Sequence, residues 1–325
     1  MNAFDFSDSN KRYHTLDYYN RHFYGEKVYK AAIDAGCTCP NRDGTKGKGG
    51  CIFCSGGSGY FTARPDNADL HGSVTRQLTA ERDRIYRKHP DSGLIAYFQA
   101  GSNTYADAAD IEEMLSAAAD FGVKGISTAT RADCLDKEKI ALLRDYNKKL
   151  PLTVELGLQT AHDSTARQIN RCHGYADFLR GYDVLKAAGI RVCVHIIDGL
   201  PGETRADMLA TAETLGRLCP DAVKIHLLHV ISGTPLAQMY EDGGYTPLTK
   251  EEYIDIVVSQ LEYLPPQCVI ERLTGDGDKR TLLAPLWSRD KISVLGGIDK
   301  LMSERDTYQG RLYKQKGEKY ESSCV

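Results

Sequence analysis

Short apolar runs alternate along most of the chain with longer segments in which apolar residues recur every three or four positions. Runs typical of buried strands lie at residues 27–33, 94–98, 123–127, 152–158, 191–197 and 222–228. Segments with helical spacing lie at residues 73–88, 107–121, 137–148, 163–169, 175–188 and 205–218. Gly189 directly follows one helical segment, as a glycine that ends a helix does. The alternation predicts βαβ units and hence a parallel sheet.

Six parallel strands within residues 27–228 can form either a doubly wound sheet or an open barrel. A Gly-x-Gly-x-x-Gly turn after the first strand would favour the doubly wound dinucleotide fold, and this sequence has none there. Polar residues collect where the predicted strands end, which is where the loops of a barrel carry active groups. The pattern therefore favours a barrel.

The rhythm of strands and helices changes after residue 234. We predict in turn a helix entered through Thr249, a further strand, a turn and a last helix, at residues 248–264, 268–274, 275–278 and 291–305. Residues 1–24 are rich in Tyr, His and Asp without a clear period. We therefore divide the chain into three parts: an N-terminal arm, a core, and a C-terminal extension that completes or caps the barrel, at residues 1–24, 25–234 and 235–325.

Composition adds little to this picture, but the charge is unevenly distributed. The 325 residues are 42% hydrophobic and 26% charged, as in ordinary globular proteins. The net charge of −3 gives no overall preference for nucleic acid. Residues 278–320 contain ten Lys and Arg against six Asp and Glu. This basic stretch is either a solvated face or a contact for an anionic partner.

Two absences indicate the compartment. No apolar run approaches the roughly 20 residues that span a bilayer, and the N-terminus lacks the regions of a signal peptide. We expect a cytoplasmic protein without membrane contact, in which thiols stay reduced. Closely spaced cysteines in such a protein indicate metal binding or catalysis rather than disulfides.

Four of the ten cysteines, Cys37, Cys39, Cys51 and Cys54, fall within eighteen residues, in a polar loop after the first predicted strand. Four thiolates would make a closed zinc site. Three thiolates, from Cys39, Cys51 and Cys54, would leave one position of an iron–sulfur cluster open. The spacing by itself leaves both alternatives open. The remaining cysteines, 134, 172, 193, 219, 268 and 324, are predicted to be small buried residues.

The three-cysteine pattern, with Phe53 just before Cys54, resembles the radical S-adenosylmethionine (SAM) superfamily. Segments that resemble its Elongator-catalytic-subunit-like branch lie at residues 155–160, 169–173, 199–203, 224–226 and 233–234. Residues 99–105 and 130–134 resemble the YtqA/YhcC group of that branch, whose tRNA-modifying member is called MnmL. The resemblance implies an α/β fold: a partial (β/α)6 TIM-like barrel of the radical SAM type, with a small C-terminal extension.

The sequence departs from that branch in two respects. We expect no acetyl transfer, because the chain has no room for the acetyltransferase domain of the branch's namesake. The Gly-Gly-Glu motif that usually holds the methionine amine is absent, and residues 99–105 occupy its place after the second predicted strand.

The resemblance also implies cofactors and partners. Cys39, Cys51 and Cys54 would ligate a [4Fe–4S] cluster, whose fourth iron would bind SAM. An electron from a flavodoxin or ferredoxin type of donor would then release a 5′-deoxyadenosyl radical. Cys37 is either structural or an exchanging ligand. The implied macromolecular partner is tRNA.

Several residues are candidates for contacts with SAM: Phe53, Gln99, Asn103, Glu155, Gln159, Arg171, Gly199 and Leu200. Phe53 would lie near the adenine or pack the loop, and the amides of Gln99 and Asn103 would hold the methionine part or only shape a turn. Glu155 and Gln159 share one face of the sheet if the run between them is extended. Arg171 would pair with the methionine carboxylate or form a surface salt bridge.

The candidates for substrate contacts or catalysis lie near the ends of predicted strands: Arg131, Asp133, Asp198, His229 and Arg272. His195 and His226 are added with lower weight, because a histidine within a strand is more often a hydrogen-bonded core residue.

Three functions follow. The leading one, by analogy with MnmL, modifies a tRNA wobble uridine from the 5-carboxymethylaminomethyl to the 5-aminomethyl form. The second keeps the radical chemistry but acts on a small metabolite or a protein side chain. The third is a zinc-stabilised binding protein without catalysis.

Overall fold

The structure is a computed structural model that describes residues 4–56, 62, 68–275 and 277–314. Its strands are β1 (Val28–Ile33), β2 (Gly93–Phe98), β3 (Gly125–Thr130), β4 (Leu152–Gln159), β5 (Arg191–Asp198), β6 (Ala222–Leu227), β7 (Val230–Ile231), β8 (Val269–Arg272) and β9 (Leu282–Ala284). Its helices are α1 (Leu16–Tyr24), α2 (Leu70–Tyr86), α3 (Ala108–Asp120), α4 (Lys137–Asn147), α5 (Asp163–Gln168), α6 (Tyr175–Ala187), α7 (Arg205–Leu218), α8 (Pro235–Glu241), α9 (Lys250–Tyr263) and α10 (Lys291–Glu304). None of the helices in this part of the chain combines the length and the apolar composition needed to cross a membrane.

Seven strands form one parallel sheet in the order β1-β2-β3-β4-β5-β6-β8. The sheet is curled, since Lys30 of β1 bonds to Glu155 of β4 and to Glu271 of β8, each at 2.6 Å. Strands three and six places apart can meet in this way only around a common interior. The prediction of an open α/β barrel is therefore confirmed. The seventh strand, β8, falls within the further strand predicted at residues 268–274.

The two faces of the sheet differ in polarity. The outer face packs on the helices, with Phe98, Val154 and Val194 fully buried in the same cluster as Leu78 of α2 and Tyr253 of α9. The inner face carries charged side chains from several strands. Because parallel strands place their carboxyl ends at one rim, the loops after them surround the mouth of this polar interior.

Helix α1 was not predicted, because its Tyr, His and Asn residues hide the helical period. Thr15 begins it, accepting a hydrogen bond from the Tyr18 amide at 3.1 Å. Leu16 and Tyr19 pack against a small buried cluster of interior residues, Cys193, Ala222 and Val269. The helix therefore covers the amino-terminal end of the half-barrel, away from the loops that carry candidate chemistry.

Other elements also differ from the prediction. Strands β7 and β9 pair with each other antiparallel, outside the main sheet. Neither they nor α8 were predicted, because segments this short carry too little periodicity. Strand β3 starts two residues later than expected, because its pairing with β2 begins at Gly125, and it extends to Thr130, because its pairing with β4 continues to that residue. The predicted ends at Gly189 and Thr249 are confirmed: Gly189 has a positive φ of 69° after α6, and Thr249 caps α9.

The scattered cysteines follow the prediction only in part. Cys134, Cys193 and Cys268 are buried, and Cys219 is half-buried. Cys172 is exposed, because it lies in a left-handed turn with a φ of 58° rather than in a strand or helix. Residue 324 lies outside the described residues.

Candidate active site

The cysteine loop, residues 34–56, leaves the carboxyl end of β1 and is folded mainly by its own backbone. The amides of Arg42, Lys46 and Gly50 donate to the carbonyls of Cys39, Pro40 and Asn41, each at 2.8 Å. Five glycines, at positions 36, 44, 49, 50 and 56, take positive φ angles in this segment. The short polar side chains seen in the sequence are therefore used for tight turns rather than for a core.

Two sulfurs of this loop, those of Cys51 and Cys54, have hydrogen-bond donors beside them. All three predicted ligands are free cysteines. The side-chain amide of Asn41 donates to the Cys51 sulfur at 3.6 Å, and the Arg171 guanidinium lies 4.0 Å from the same sulfur. The Arg42 guanidinium donates to the Cys54 sulfur at 3.8 Å. Donors of this kind, two of them cationic, stabilise anionic sulfur and so fit thiolates that bind iron. In the described part of the chain, no three Cys, His, Asp or Glu side chains form a group that could hold a single metal ion.

The segment from Ile169 to Cys172 fastens the cysteine loop to the half-barrel. The side-chain amide of Asn170 donates to the Gly50 carbonyl at 2.8 Å, and the side-chain amide of Asn41 donates to the backbone carbonyl of Asn170 at 2.5 Å. The Ile52 amide donates to the Ile169 carbonyl at 3.1 Å. The motif at residues 169–173 therefore has a visible physical role, which is to hold the loop across the carboxyl ends of the strands.

A buried ion pair fixes the other side of the loop. Arg131 donates to both oxygens of Asp133, each at 2.9 Å, and to the Arg171 carbonyl at 3.0 Å. Lys46, from the loop, bonds to Asp133 at 2.8 Å. Burial opposes ionisation, but the bonds from Arg131 and Lys46 outweigh it and hold the pKa of Asp133 below its usual range. Both predicted substrate contacts are thus occupied by structural partners, and Arg131 is only 2% exposed.

Arg171 lies beside Cys51 and is buried, so its alternative as a surface salt bridge is wrong. It donates to the Gly157 carbonyl at 2.8 Å, and its buried Nε has no partner within the described residues. A Cβ at Gly157 would lie 2.7 Å from Arg171 and 2.8 Å from Gln159, so the site requires glycine. Gln159 has a φ of 73° and follows a shift in strand register. The extended run expected from Glu155 to Gln159 is therefore interrupted.

The loop after β2 packs against the start of the cysteine loop. Asn103 is 1% exposed and donates to the carbonyls of Phe98 and Ala129, each at 2.9 Å. Its buried Oδ1 has no partner within the described residues. Gln99 continues β2 and donates its amide to the Ile33 carbonyl at 3.2 Å. Cys37 lies 4.0 Å from the Asn103 carbonyl, which places it behind the loop as a packing residue.

Phe53, Gly199 and Leu200 lie in one small hydrophobic region. Phe53 and Leu200 pack in a cluster that includes Ile169. The Gly199 carbonyl accepts from Tyr245 at 2.7 Å. Their contacts are those of loop packing, and their predicted contacts with SAM stay predictions.

Glu155 forms the centre of what we call the interior polar network. Its Oε1 accepts from Lys30 at 2.6 Å and from Ser127 at 2.7 Å. Its Oε2 accepts from Tyr97 at 2.7 Å, from His195 at 2.8 Å and from Lys224. Glu271 joins the network through Lys30 and through Arg191, the latter at 2.9 Å. The members are Lys30, Tyr97, Ser127, Glu155, Arg191, His195, Lys224 and Glu271.

The network keeps its carboxylates ionised. Burial alone would raise the pKa of Glu155, but Lys224 and Lys30 outweigh it and hold that pKa well below the usual range. The pKa of Glu271 is lowered to about 2, again against the effect of burial, by Lys30 and Arg191. With five protein donors, the Glu155 carboxylate has no acceptor position left over. A contact between Glu155 and SAM would require one of these donors to leave.

His195 belongs to the network, and His226 and His229 lie beyond it, towards the rim. The rings of His195 and His226 are 5.0 Å apart, and a Cβ at Gly275 would lie 3.8 Å from His226 and 3.7 Å from His229. Burial, with His195 and Arg272, holds the pKa of His226 well below its usual range, so this ring is neutral. The structure thus brings together His195, His226 and Arg272. Each was a candidate from the sequence, but their proximity could not be predicted.

Asp198 lies on the opposite side of β5. It is 2% exposed, accepts from Gln260 of α9 at 2.7 Å, and is covered by helices rather than facing the interior. A substrate in the half-barrel would not reach it, so its predicted role in substrate contact does not fit its position.

Six members of the network were not predicted as site residues: Lys30, Tyr97, Ser127, Arg191, Lys224 and Glu271. The available signal was a charged residue inside a strand pattern that is otherwise apolar, as at Lys30 and Lys224. Such a pattern indicates a buried charge that needs a partner, but it does not name the partner.

Comparison with known families agrees with this geometry. The Radical SAM superfamily profile matches residues 39–215, and the Radical_SAM C-terminal domain profile matches residues 220–304. The Bacillus subtilis protein YtqA is 43% identical over 317 residues, which are 97% of this chain and 97% of that protein. The Escherichia coli K12 protein YhcC is 34% identical, over 86% of this chain and 89% of that protein.

Two further likenesses concern longer proteins. A Dehalococcoides mccartyi protein named tRNA uridine(34) acetyltransferase is 28% identical over 56% of this chain and 39% of its own length. The solved structure of the archaeal Methanocaldococcus infernus Elp3, with an N-terminal deletion, superposes with a TM-score of 0.65 at 18% identity. That match covers 87% of this chain and 64% of the other, and it shows a shared fold.

Proposed function

The chain belongs to the radical SAM superfamily, and from this membership we propose that it modifies the wobble uridine of tRNA. It is a radical SAM enzyme, and the family implies a [4Fe–4S] cluster together with SAM. The alternative of a zinc-stabilised binding protein without catalysis is set aside by this membership.

Cys39, Cys51 and Cys54 are the residues that would hold the cluster. The donors from Asn41, Arg42 and Arg171 described above would stabilise their thiolate charge. When bound and reduced, the cluster supplies the electron that cleaves SAM to methionine and a 5′-deoxyadenosyl radical. The protein's part is to fix the sulfurs, through Asn170 and the Asp133 ion pair, and to enclose the radical within the half-barrel.

Two buried polar atoms without partners in the described chain suit the amino acid part of SAM. The Arg171 Nε is a donor beside Cys51, and it would bind the methionine carboxylate. The Asn103 Oδ1 is an acceptor behind the cysteine loop, and it would bind the methionine amine. Buried polar atoms in folded proteins normally have partners, so a ligand at these two atoms would complete the site.

The similarity to a protein named tRNA uridine(34) acetyltransferase is the observation that carries the choice of substrate. That likeness covers only 39% of the relative, and acetyl transfer is not part of the proposal. The basic stretch between residues 278 and 314 would meet the phosphate backbone. By resemblance to the MnmL-like group, the reaction would convert 5-carboxymethylaminomethyl to 5-aminomethyl uridine.

Wobble-uridine profiles from a deletion strain test this proposal. We expect the 5-carboxymethylaminomethyl form to accumulate, and the 5-aminomethyl form to return when the wild-type gene is restored. Cys51→Ala, which removes a proposed cluster ligand, should fail to restore it. Cys37→Ala, a matched change at a packing cysteine, should restore it. Mass spectrometry of digested tRNA gives the readout, and a profile unchanged by the deletion would contradict the tRNA proposal.

A further inference from the structure

The interior of the half-barrel carries more positive than negative side chains. Two carboxylates, Glu155 and Glu271, face four basic side chains: Lys30, Arg191, Lys224 and Arg272. The first three of these bond to one or both carboxylates. The two carboxylates balance only two of these four positive charges, so the interior carries an excess of two positive charges. An interior of this kind favours an anionic ligand.

Arg272 is the cation without a partner. It is the last residue of β8, opposite Lys224 of β6 in the sheet. Within the residues that the structure describes, it forms no hydrogen bond or ion pair, whereas the neighbouring Glu271 is directed to Lys30 and Arg191. The pairing shifts by one residue at Glu271, so Arg272 is the partner of Lys224 and faces the same side of the sheet, which is the interior.

His226 supplies a second unused group at the same place. Its Nε2 is buried and has no partner among the described residues. Its neutral ring carries one N–H that can donate. Gly275 lies beyond β8, and a Cβ there would stand 3.8 Å from the His226 Nδ1, so the glycine keeps that edge of the ring uncovered. A half-buried cation and an unpartnered ring nitrogen thus lie on neighbouring strands near the rim.

We propose that Arg272 and His226 form a subsite for a carboxylate carried by the substrate. The planar guanidinium matches the two oxygens of a carboxylate, and the histidine N–H would complete the contact. This subsite is separate from Arg171, which lies beside Cys51 and bonds to the Gly157 carbonyl of β4. The inference rests on the proposed function, in which the carboxylate is that of the 5-carboxymethylaminomethyl group, and it explains how the product, which lacks this group, would be released.

Binding to three anticodon stem–loop RNAs tests the subsite. The RNAs have the same sequence and differ only in the wobble uridine, which carries a 5-carboxymethylaminomethyl group, a 5-aminomethyl group or no substituent. Their phosphates are identical, so any difference in affinity comes from the substituent. We expect the reconstituted wild-type enzyme to bind the carboxylate form at least tenfold more tightly than the aminomethyl form, and Arg272→Gln to lose this preference.

Arg280→Gln is the matched control, because Arg280 is an exposed arginine paired with Asp278 in the same part of the chain. It should keep the preference for the carboxylate form. A uniform weakening of all three RNAs by Arg272→Gln would assign Arg272 to a backbone phosphate and overturn the proposal. An unchanged preference in Arg272→Gln would overturn it as well.

A second arm without RNA separates this inference from the tRNA proposal. Phenylglyoxal modifies accessible arginines, and peptide mapping reports the extent at Arg272. We expect N-methylglycine to protect Arg272 severalfold better than methylamine at the same concentration and ionic strength. Protection by the carboxylate without any discrimination among the RNAs would retain the anion subsite and reject the tRNA substrate. Equal modification in the two solutions would reject the subsite.

Discussion

A single buried carboxyl shows how far local environment changes the chemistry of a residue. Asp198 has one oxygen bonded to Gln260, while its Oδ2 has no partner in the described chain. Burial, with the charge of Glu203 adding to it, raises the pKa of Asp198 to about 8. The same residue type at Asp133, held by Arg131 and Lys46, has a lowered pKa. Asp133 is less deeply buried and has two cationic partners, and both differences favour its ionised form.

Asp198 predicts a pH dependence of stability. Its pKa is raised on folding, so the folded protein keeps a proton that the unfolded chain releases above pH of about 4. Its contribution to stability is therefore complete below that pH and is lost as the pH rises towards 8. We expect Asp198→Asn, which cannot ionise, to raise the free energy of unfolding at pH 8 by about 2–5 kcal/mol relative to wild type. Near pH 5 the gain should be much smaller.

Urea unfolding of the two proteins at pH 5 and pH 8 makes the comparison. Asp183→Asn, at an exposed position of α6, is the control and should follow the wild type. If the Asp198→Asn protein lost stability with pH as steeply as the wild type, another group would be responsible.

At the scale of elements, the cysteine loop depends on contacts that other loops provide. The segment after α5 fixes it through Asn170 and Ile169, and the segment after β3 fixes it through Asp133. Because the loop lacks an apolar core, these contacts decide where its three sulfurs lie. The elements that follow β1, β3 and β4 therefore form one unit around the proposed cluster.

Asp133→Asn should loosen this unit. It removes the charge that holds buried Arg131, and breaking a buried ion pair costs about 3–5 kcal/mol. We expect faster hydrogen exchange of the amides at residues 42–50 and a lower melting temperature. Lys46→Gln removes only the half-exposed arm of the same cluster, so its effect should stay below about 1 kcal/mol. Equal effects of the two substitutions would show that Arg131 does not depend on Asp133.

At the scale of the whole molecule, the interior polar network joins the strands of the half-barrel. Every strand of the parallel sheet contributes at least one member, from Lys30 of β1 to Glu271 of β8. The hydrophobic core on the outer face fixes the helices, while this network fixes the curvature. Both layers must be present for the rim to have its shape.

Glu155→Gln should therefore destabilise the entire protein. The change removes the close negative partner of Lys224 and leaves Lys30 with Glu271 alone, and the expected loss is about 3–5 kcal/mol. Urea unfolding should show one cooperative transition at lower urea concentration. Glu138→Gln, at an exposed position of α4, should change the stability by less than about 0.5 kcal/mol. A loss below about 1 kcal/mol for Glu155→Gln would mean that the network does not govern stability.

Much of the fold could be predicted from local patterns. Periods of two and of three to four residues identified the main strands and helices, because side chains on a strand or helix face its neighbours at those intervals. Elements with weak or short patterns, such as α1, β7 and β9, were missed for the same reason. The spacing of Cys39, Cys51 and Cys54 could likewise be read from the chain, because they share one loop.

Only the tertiary structure decided which distant residues meet. Lys30, Glu155 and Glu271 are separated by more than a hundred residues at each step, and they touch because the sheet curls. Asp198 and His195 are three residues apart, yet β5 directs one to the helices and the other to the interior. The sequence alone determined the order of the elements and the cysteine group, since both are local. The curl of the sheet determined the charge of the interior, since contacts between strands depend on how the whole chain is packed.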